Sequence, residues 1–235
     1  MLKKFLLFFN KINFFYFKKS SRKLKKLLFN LPKKEILIIL KINLDKIKYF
    51  IKNKDFTKSK SFYLNGNWDK KKIELRYYKK FNINYKSVFQ IFKYNKKYYE
   101  TDEYKYKKDI IKSGQITQRG QKNLAELRNY FIALKKTKNS IELKGYLSQK
   151  QLGLNSSNDE VGVVIGRNGE IIKLQDKFGG THRFAICKIL KKKFIYVNVI
   201  AIHQKFIDKV ISNKLYKNFN KKKIIELLIN QMRSK

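Results

Sequence analysis

Hydrophobic patterning is clearest in the last third of the chain. VGVVIG at 161–166 is an unbroken apolar run of strand length. Arg167-Asn168-Gly169 carries the Asn-Gly signal of a tight hairpin, and EIIKL at 170–174 returns as its partner. After the turn QDKFGG, THRFAICKIL reads as a helix with Thr181 as N-cap. FIYVNVIAI at 194–202 is a second strand, with Ile195, Val197, Val199 and Ala201 along one face. Hairpin, Gly-rich turn, helix and strand in that order predict a compact α+β unit.

Upstream the signals are more widely spaced. ILIILKINL at 36–44 is a β-branched apolar run too short for an ordinary buried helix and reads as a strand. A polar stretch over 52–74 contains the turn signal Asn65-Gly66-Asn67 before Trp68 and Asp69. From Tyr85, the residues Val88, Phe89 and Phe92 recur at helical spacing, with the end expected near Tyr94-Asn95. Residues 121–136 predict the clearest helix, striped by Leu124, Leu127, Phe131 and Leu134. A short helix is predicted at 149–152, with Ser148 as N-cap, Gln151 at the capping-box position and Gly153 as terminator. NSSNDE at 155–160 is a polar connection. The chain divides into a basic, partly amphipathic extension (1–38), an α+β domain (39–205) and a helical tail (206–235) with an apolar patch at Ile224, Ile225, Leu227 and Leu228.

Composition adds an unusual charge. The 235 residues hold 57 Lys+Arg against 17 Asp+Glu, a formal net charge of +40. Such a balance directs attention to anionic partners. Only seven of the cations are Arg, and Ile, Asn, Phe and Tyr are abundant too. AT-rich codon usage produces the same mixture, and the lysines are spread evenly rather than focused. Lysines interleaved with aromatics, as in ELRYYKK and KYNKKYYE, could contact nucleic acid by backbone charge and stacking, but no recognition-helix, zinc-finger or RNP-type motif accompanies them. Nucleic acid is therefore not the favoured partner. Hydrophobic content of 43% is enough for a core, and a single cysteine, Cys187, excludes a disulfide framework and a Cys-based zinc site. Two histidines are too few for a His-based metal site.

At the N-terminus, Leu2, Phe5, Phe9 and Ile12 share a helical face ringed by lysines. Residues 1–30 are thus either an amphipathic segment for an anionic membrane surface or a frayed basic tail, the plainer reading. No uninterrupted apolar stretch approaches the ~20 residues of a spanning helix, so a cytoplasmic protein, at most peripheral at the membrane, is expected.

Phe178, Gly179, Gly180, Thr181, His182 and Arg183 form the sharpest candidate site. A glycine pair allows close backbone approach, and the helix start offers unpaired N–H groups and the positive dipole end. With Thr, His and Arg in that first turn, the segment has the makings of a phosphate cradle.

FGGTHRFAICKIL, with its flanking hairpin and strand, resembles the ParB/sulfiredoxin-like superfamily, in which this turn and helix bind ATP or another adenine nucleotide in some members and CTP in others. INLDKI (42–47), NGNWD (65–69), YYETDEY (98–104), GYLSQKQLG (145–153) and IGRNGE (165–170) resemble an uncharacterised ParB-like group with a Gly-x-His-Arg loop. The resemblance spans roughly residues 39–205. It implies binding of ATP or another nucleoside phosphate, with or without Mg2+, and either phosphoryl transfer or hydrolysis, or a non-catalytic DNA- or protein-binding module. Two departures limit it. Thr181 stands where sulfiredoxins carry their catalytic Cys, and a hydroxyl cannot form the sulfur-linked intermediate. The residues after His203 are too few for a partition protein's helix-turn-helix and dimerisation regions.

Phosphoryl transfer would need a carboxylate near the acceptor. Asp176, Glu100, Glu103 and Asp69 are the catalytic candidates, alongside Asp102 and the Asp159-Glu160 pair. Each also has a plain reading. Asp69 can cap a turn, the 100–103 cluster can be a helix start capped by Thr101, and Asp159-Glu160 can be solvated. His182 is a donor or proton relay, or it bonds a neighbouring strand; His203 suits a structural role.

Overall fold

A computed structural model describes residues 38–52, 56, 62–153, 160–175 and 180–212, with side chains to Lys209. The extension over 1–37, Asp176, Phe178, Gly179, Asp159 and the tail beyond 212 lie outside the described residues.

The described chain is mixed α/β. Its strands are β1 (Ile38–Asn43), β2 (Ile47–Ile51), β3 (Tyr63–Leu64), β4 (Ile73–Glu74), β5 (Val161–Ile165), β6 (Ile171–Leu174) and β7 (Phe194–His203). Its α-helices are α1 (Tyr78–Phe81), α2 (Ile83–Phe92), α3 (Asp102–Lys112), α4 (Leu124–Lys144), α5 (Thr181–Ile189) and α6 (Gln204–Ser212). One seven-stranded sheet runs β1-β7-β5-β6-β2-β4, with β3 extending β1's side of β7. β7 and β5 are parallel, as are β6 and β2, while β5–β6, β1–β7 and β2–β4 are antiparallel.

The expected hairpin forms, but with a three-residue loop. Gly166 N–H donates to the Glu170 carbonyl at 3.0 Å, and among the three loop residues only Gly169 takes positive φ, at 82°. A two-residue type I′ turn would need positive φ at two positions, so the extra residue lets a single glycine carry the left-handed conformation.

The larger core fills the helical face of the sheet. Val161, Val163 and Ile165 of β5 and Ile195, Val197 and Val199 of β7 meet Leu127 and Phe131 of α4, Val88 and Phe89 of α2 and Phe184 and Ile186 of α5. A smaller cluster of Ile51, Phe56, Val164, Ile172, Leu174, Ile200 and Ala201 covers the other face, with Trp68 against it. Ala201 therefore does not continue the Ile195–Val199 stripe. Val163 pairs with Val199 and Val164 with Ala201, so Ile200 is an inserted bulge residue that reverses the alternation beyond it.

Three helical expectations also change. α4 runs eight residues past Lys136 to Lys144, and Leu124, in its first turn, is 43% exposed, so the buried stripe is Leu127, Phe131, Leu134 and Ile141. Residues 149–152 are a single turn rather than a helix, although the capping box is made: Ser148 N–H donates to Gln151 Oε1 at 2.8 Å and Gln151 N–H to Ser148 Oγ at 3.3 Å. The N-cap of α5 is Gly180, in left-handed conformation, and Thr181 is the first helical residue. At the far end, Phe206 and Ile207 of α6 are buried in the main core, so the start of this helix belongs to the domain.

Among the described residues no helix is long and apolar enough to cross a membrane.

Candidate functional site

The start of α5 is fixed by close packing. Gly180 has φ +68°, and a Cβ there would lie 2.6 Å from Val161 Cα and 2.7 Å from Val161 N. The glycine is demanded by the approach of the helix end to β5. The residues that follow turn inward. Thr181 is buried, its Oγ1 3.5 Å from the Gln175 carbonyl and from Nζ of the buried Lys173. The Gln175 carbonyl also accepts from Tyr78 Oη (2.8 Å) and Asn82 Nδ2 (3.2 Å), tying α1 and α2 to the end of β6.

His182 meets one of the carboxylates named from the sequence. Its Nε2 lies 3.1 Å from Glu103 Oε2 and 2.9 Å from the Tyr130 hydroxyl, which itself donates to Glu103 Oε1 at 2.6 Å. Glu103 is fully buried and His182 is 8% exposed. Lys107, one helical turn on from Glu103, places Nζ 3.0 Å from Oε1 and 3.6 Å from the centroid of the Tyr130 ring. Burial alone would raise the Glu103 carboxyl, but the facing His182, Lys107 and Tyr130 outweigh it and hold the group well below its usual value. Burial, reinforced by the Glu103 charge, raises the Tyr130 phenol; burial lowers the Lys107 ammonium against the pull of Glu103. With Glu103 ionised, the network assigns a proton to His182 Nε2, the geometry in which a carboxylate orients an imidazole.

The sequence builds this cluster from three helices. Thr101 caps α3, accepting from Tyr104 N–H, while Gln90 and Ser87 of α2 accept from the N–H groups of Asp102 and Glu103. The start of α3 is thus held against α2 by its own orphan donors, and Glu103 is aimed inward. α4 supplies Tyr130, and α5 supplies His182. Tyr130 and Lys107 were not singled out from the sequence. Their signal is weak: Tyr130 lies beside Phe131 of the core stripe, and Lys107 looks like any surface lysine of α3.

Arg183 is held by the protein. Its Nη1 is 3.3 Å from Glu160 Oε2, Nη2 donates to the Leu147 carbonyl, and the guanidinium lies 4.1 Å from the Tyr146 ring centroid. Glu160 also accepts from Gln149 N–H and Tyr146 Oη, so it is buried and engaged rather than solvated. Glu100 stands apart, accepting from Lys97 N–H at an exposed 3₁₀ turn.

Asp69 belongs to a second cluster. It accepts from Arg167 N–H (2.9 Å) and from Arg167 Nε and Nη2, with His203 Nε2 3.6 Å away. Burial would raise this carboxyl, yet the Arg167 hydrogen bonds bring it to about 2. His203 Nδ1 accepts from Lys205 N–H and Nε2 lies 2.9 Å from the Gly66 carbonyl, the pattern of a structural imidazole. Arg167 lies in the β5–β6 loop and Gly180 packs on Val161, so the length of β5 separates Asp69 from His182. Of the three catalytic candidates among the described residues, Glu103, Glu100 and Asp69, the structure brings Glu103 to the start of α5. Cys187 is buried, its thiol pushed up to about 12 by desolvation, which leaves it unreactive.

Among the described residues no three His, Cys, Asp or Glu side chains gather as a metal site. The described side chains therefore do not by themselves make a site for a Mg2+ ion. No family model matches this chain, and neither a curated protein nor a solved structure does.

Proposed function

We propose that this chain is a nucleotide-binding protein of ParB/sulfiredoxin-like architecture that uses the Glu103–His182 pair for proton transfer to or from a small phosphorylated molecule. The reading is supported by one juxtaposition. The first turn of α5, opened by Gly180, carries an imidazole hydrogen-bonded to a fully buried carboxylate from a different helix. A buried Glu–His pair requires desolvating a charge, and a purely structural contact would be met as well by a neutral side chain. Glu103 acts as the positioning residue, holding the Nε2 proton and so fixing the tautomer and orientation of the ring. Phosphate oxygens would be held by backbone N–H groups at the helix start. Arg183, engaged by Glu160, fixes the wall of the site.

The test is thermal denaturation of the full chain with ATP, ADP, CTP or GTP, with and without Mg2+, followed by assay for phosphate release and transfer. At a hundredfold excess over Kd, binding stabilises by ~2.7 kcal/mol, a readable rise in Tm. His182→Ala is expected to lower turnover about 100-fold or more while nucleotide still raises Tm. If no nucleotide changes the melting of the wild type, the nucleotide reading fails; if turnover survives His182→Ala, the proton-transfer role fails.

A further inference from the structure

A cleft of about 290 Å³ opens between the α1–α2 junction, α3 and the turn at 117–119, and none of its ten lining residues is acidic. Phe81, Ile83 and Ile110 supply apolar wall, while Lys107 and Arg119 supply two positive charges. The turn is stiff: Gly120 N–H donates to the Thr117 carbonyl, Thr117 N–H to the Gln121 carbonyl, and Gln121 N–H to Thr117 Oγ1. It holds the exposed Arg119 at the rim.

Lys107 is the observation that points to a ligand. The residue is 5% exposed, and its Nζ is ion-paired to Glu103 alone among the described residues, so a single carboxylate serves an ammonium with three N–H donors. Glu103 stands 3.0 Å away and the face of the Tyr130 ring at 3.6 Å, which offset the charge but leave N–H donors without acceptors. Burying an ammonium that keeps unserved N–H donors is unfavourable, and a further acceptor would relieve it. An oxyanion in the adjoining cleft would supply the missing acceptors, and Arg119 would close on it from the rim.

We propose that this cleft is an anion site, taking the phosphate or carboxylate of a small molecule between Lys107 and Arg119, with the molecule's apolar part against Phe81 and Ile83. Glu103 joins it to the His182 cluster, since one carboxylate contacts both Lys107 and His182. A ligand drawing Lys107 toward itself would loosen the ammonium's hold on Glu103 and strengthen the carboxylate's interaction with the imidazole. The site does not depend on nucleotide binding at α5.

Orthophosphate, succinate and ATP titrated separately into the full chain by calorimetry, at about 0.15 M salt to screen diffuse attraction, test this assignment. At least one probe is expected to bind saturably at one site. Arg119→Gln should weaken that probe about tenfold and Lys107→Met should abolish its binding, while Lys48→Gln, removing an exposed charge on β2, should leave it unchanged. Arg119 is exposed and its variant folds whether or not Lys107→Met does. Orthophosphate without succinate assigns a phosphoryl group, the reverse a carboxylate; ATP weakened by Arg119→Gln puts nucleotide phosphates in the cleft. No saturable binding by any probe, or equal weakening by Arg119→Gln and Lys48→Gln, overturns the site. ATP binding indifferent to Arg119 and Lys107, with neither small anion bound, overturns it while leaving the nucleotide reading standing. Small-anion binding without any nucleotide effect does the converse.

Discussion

Two residues show how the same feature can be read as ligand chemistry or as packing. Gly180 suggests a phosphate turn in the sequence, yet its immediate constraint is the Val161 backbone. Gly180→Ala would place a methyl 2.6 Å from Val161 Cα at φ +68°. A positive-φ alanine costs about 1 kcal/mol, and a backbone clash raises the total to roughly 3 kcal/mol. Chemical denaturation should show that loss without any nucleotide present; a loss under about 1 kcal/mol would mean the α5 start is less tightly seated. Asp69 makes the second case, through pH. Its folded carboxyl is held at about 2, below the ordinary 3.8. A carboxyl depressed on folding stabilises fully above its unfolded value and loses that contribution as pH falls through the folded one. The wild type should therefore lose stability between about pH 4 and pH 2 through this group, by 1–2 kcal/mol after allowing roughly half of the shift for solvent screening. Asp69→Asn, compared with the wild type by denaturation at pH 7 and pH 3, should be less stable at pH 7 and show a shallower acid decline. An unchanged slope would show that Arg167 does not hold the carboxylate in solution.

Between elements, the most consequential link is Arg183 to Glu160. It fastens α5 to the segment before β5 and, through the Leu147 carbonyl and the Tyr146 ring, to the turn after α4. Removing one member of a buried pair strands the other charge. Arg183→Ala should cost about 3–5 kcal/mol with or without nucleotide, and Arg183→Lys should recover little because one ammonium cannot reproduce the two-armed contact. Equilibrium unfolding reads this directly, and a loss below 1 kcal/mol would mean that the pair contributes little.

These links also mark what sequence could reveal. The β5–β6 hairpin, α5, β7, the Tyr85–Phe92 helix and the Thr101 cap were legible because each is written in local period or turn chemistry. The Ile200 bulge was not: it reverses the β7 faces without altering the apolar run, and only pairing with β5 exposes it. The Glu103–Tyr130–His182–Lys107 cluster was half legible. Glu103 and His182 stood out, one for acidity in a basic chain and one for its place after two glycines. Their meeting depends on α2 accepting the first N–H groups of α3, a long-range arrangement that no spacing records.

At the scale of the whole molecule, charge sets the remaining behaviour. Seventeen acids cannot serve fifty-seven cations. Several acids are committed to particular partners: Asp69 to Arg167, Glu103 to Lys107 and His182, Glu160 to Arg183, and Glu170 to Lys72. The surplus is positive and self-repelling, so added salt should raise Tm as it screens. The same surplus will retain any polyanion at low ionic strength, and the question is whether exposed aromatics add recognition. Tyr77 carries Arg76 and Lys80 against its ring, Tyr94 carries Lys79, Tyr99 carries Lys97 and Phe81 carries Lys52, at centroid distances of 4.9 to 5.8 Å. Each base stacked there would have to displace a cation from the ring, exchanging one favourable contact for another of similar size, about 0.5–1 kcal/mol at an exposed site. Stacking should then contribute little. Oligo(dT) and heparin should be retained alike, with affinities that fall steeply and linearly on logarithmic axes as salt rises. Tyr77→Ala and Tyr94→Ala should leave the oligo(dT) affinity within about twofold. A loss of 1 kcal/mol or more per tyrosine, confined to oligo(dT), would instead establish these rings as a stacking platform and make single-stranded nucleic acid a specific partner.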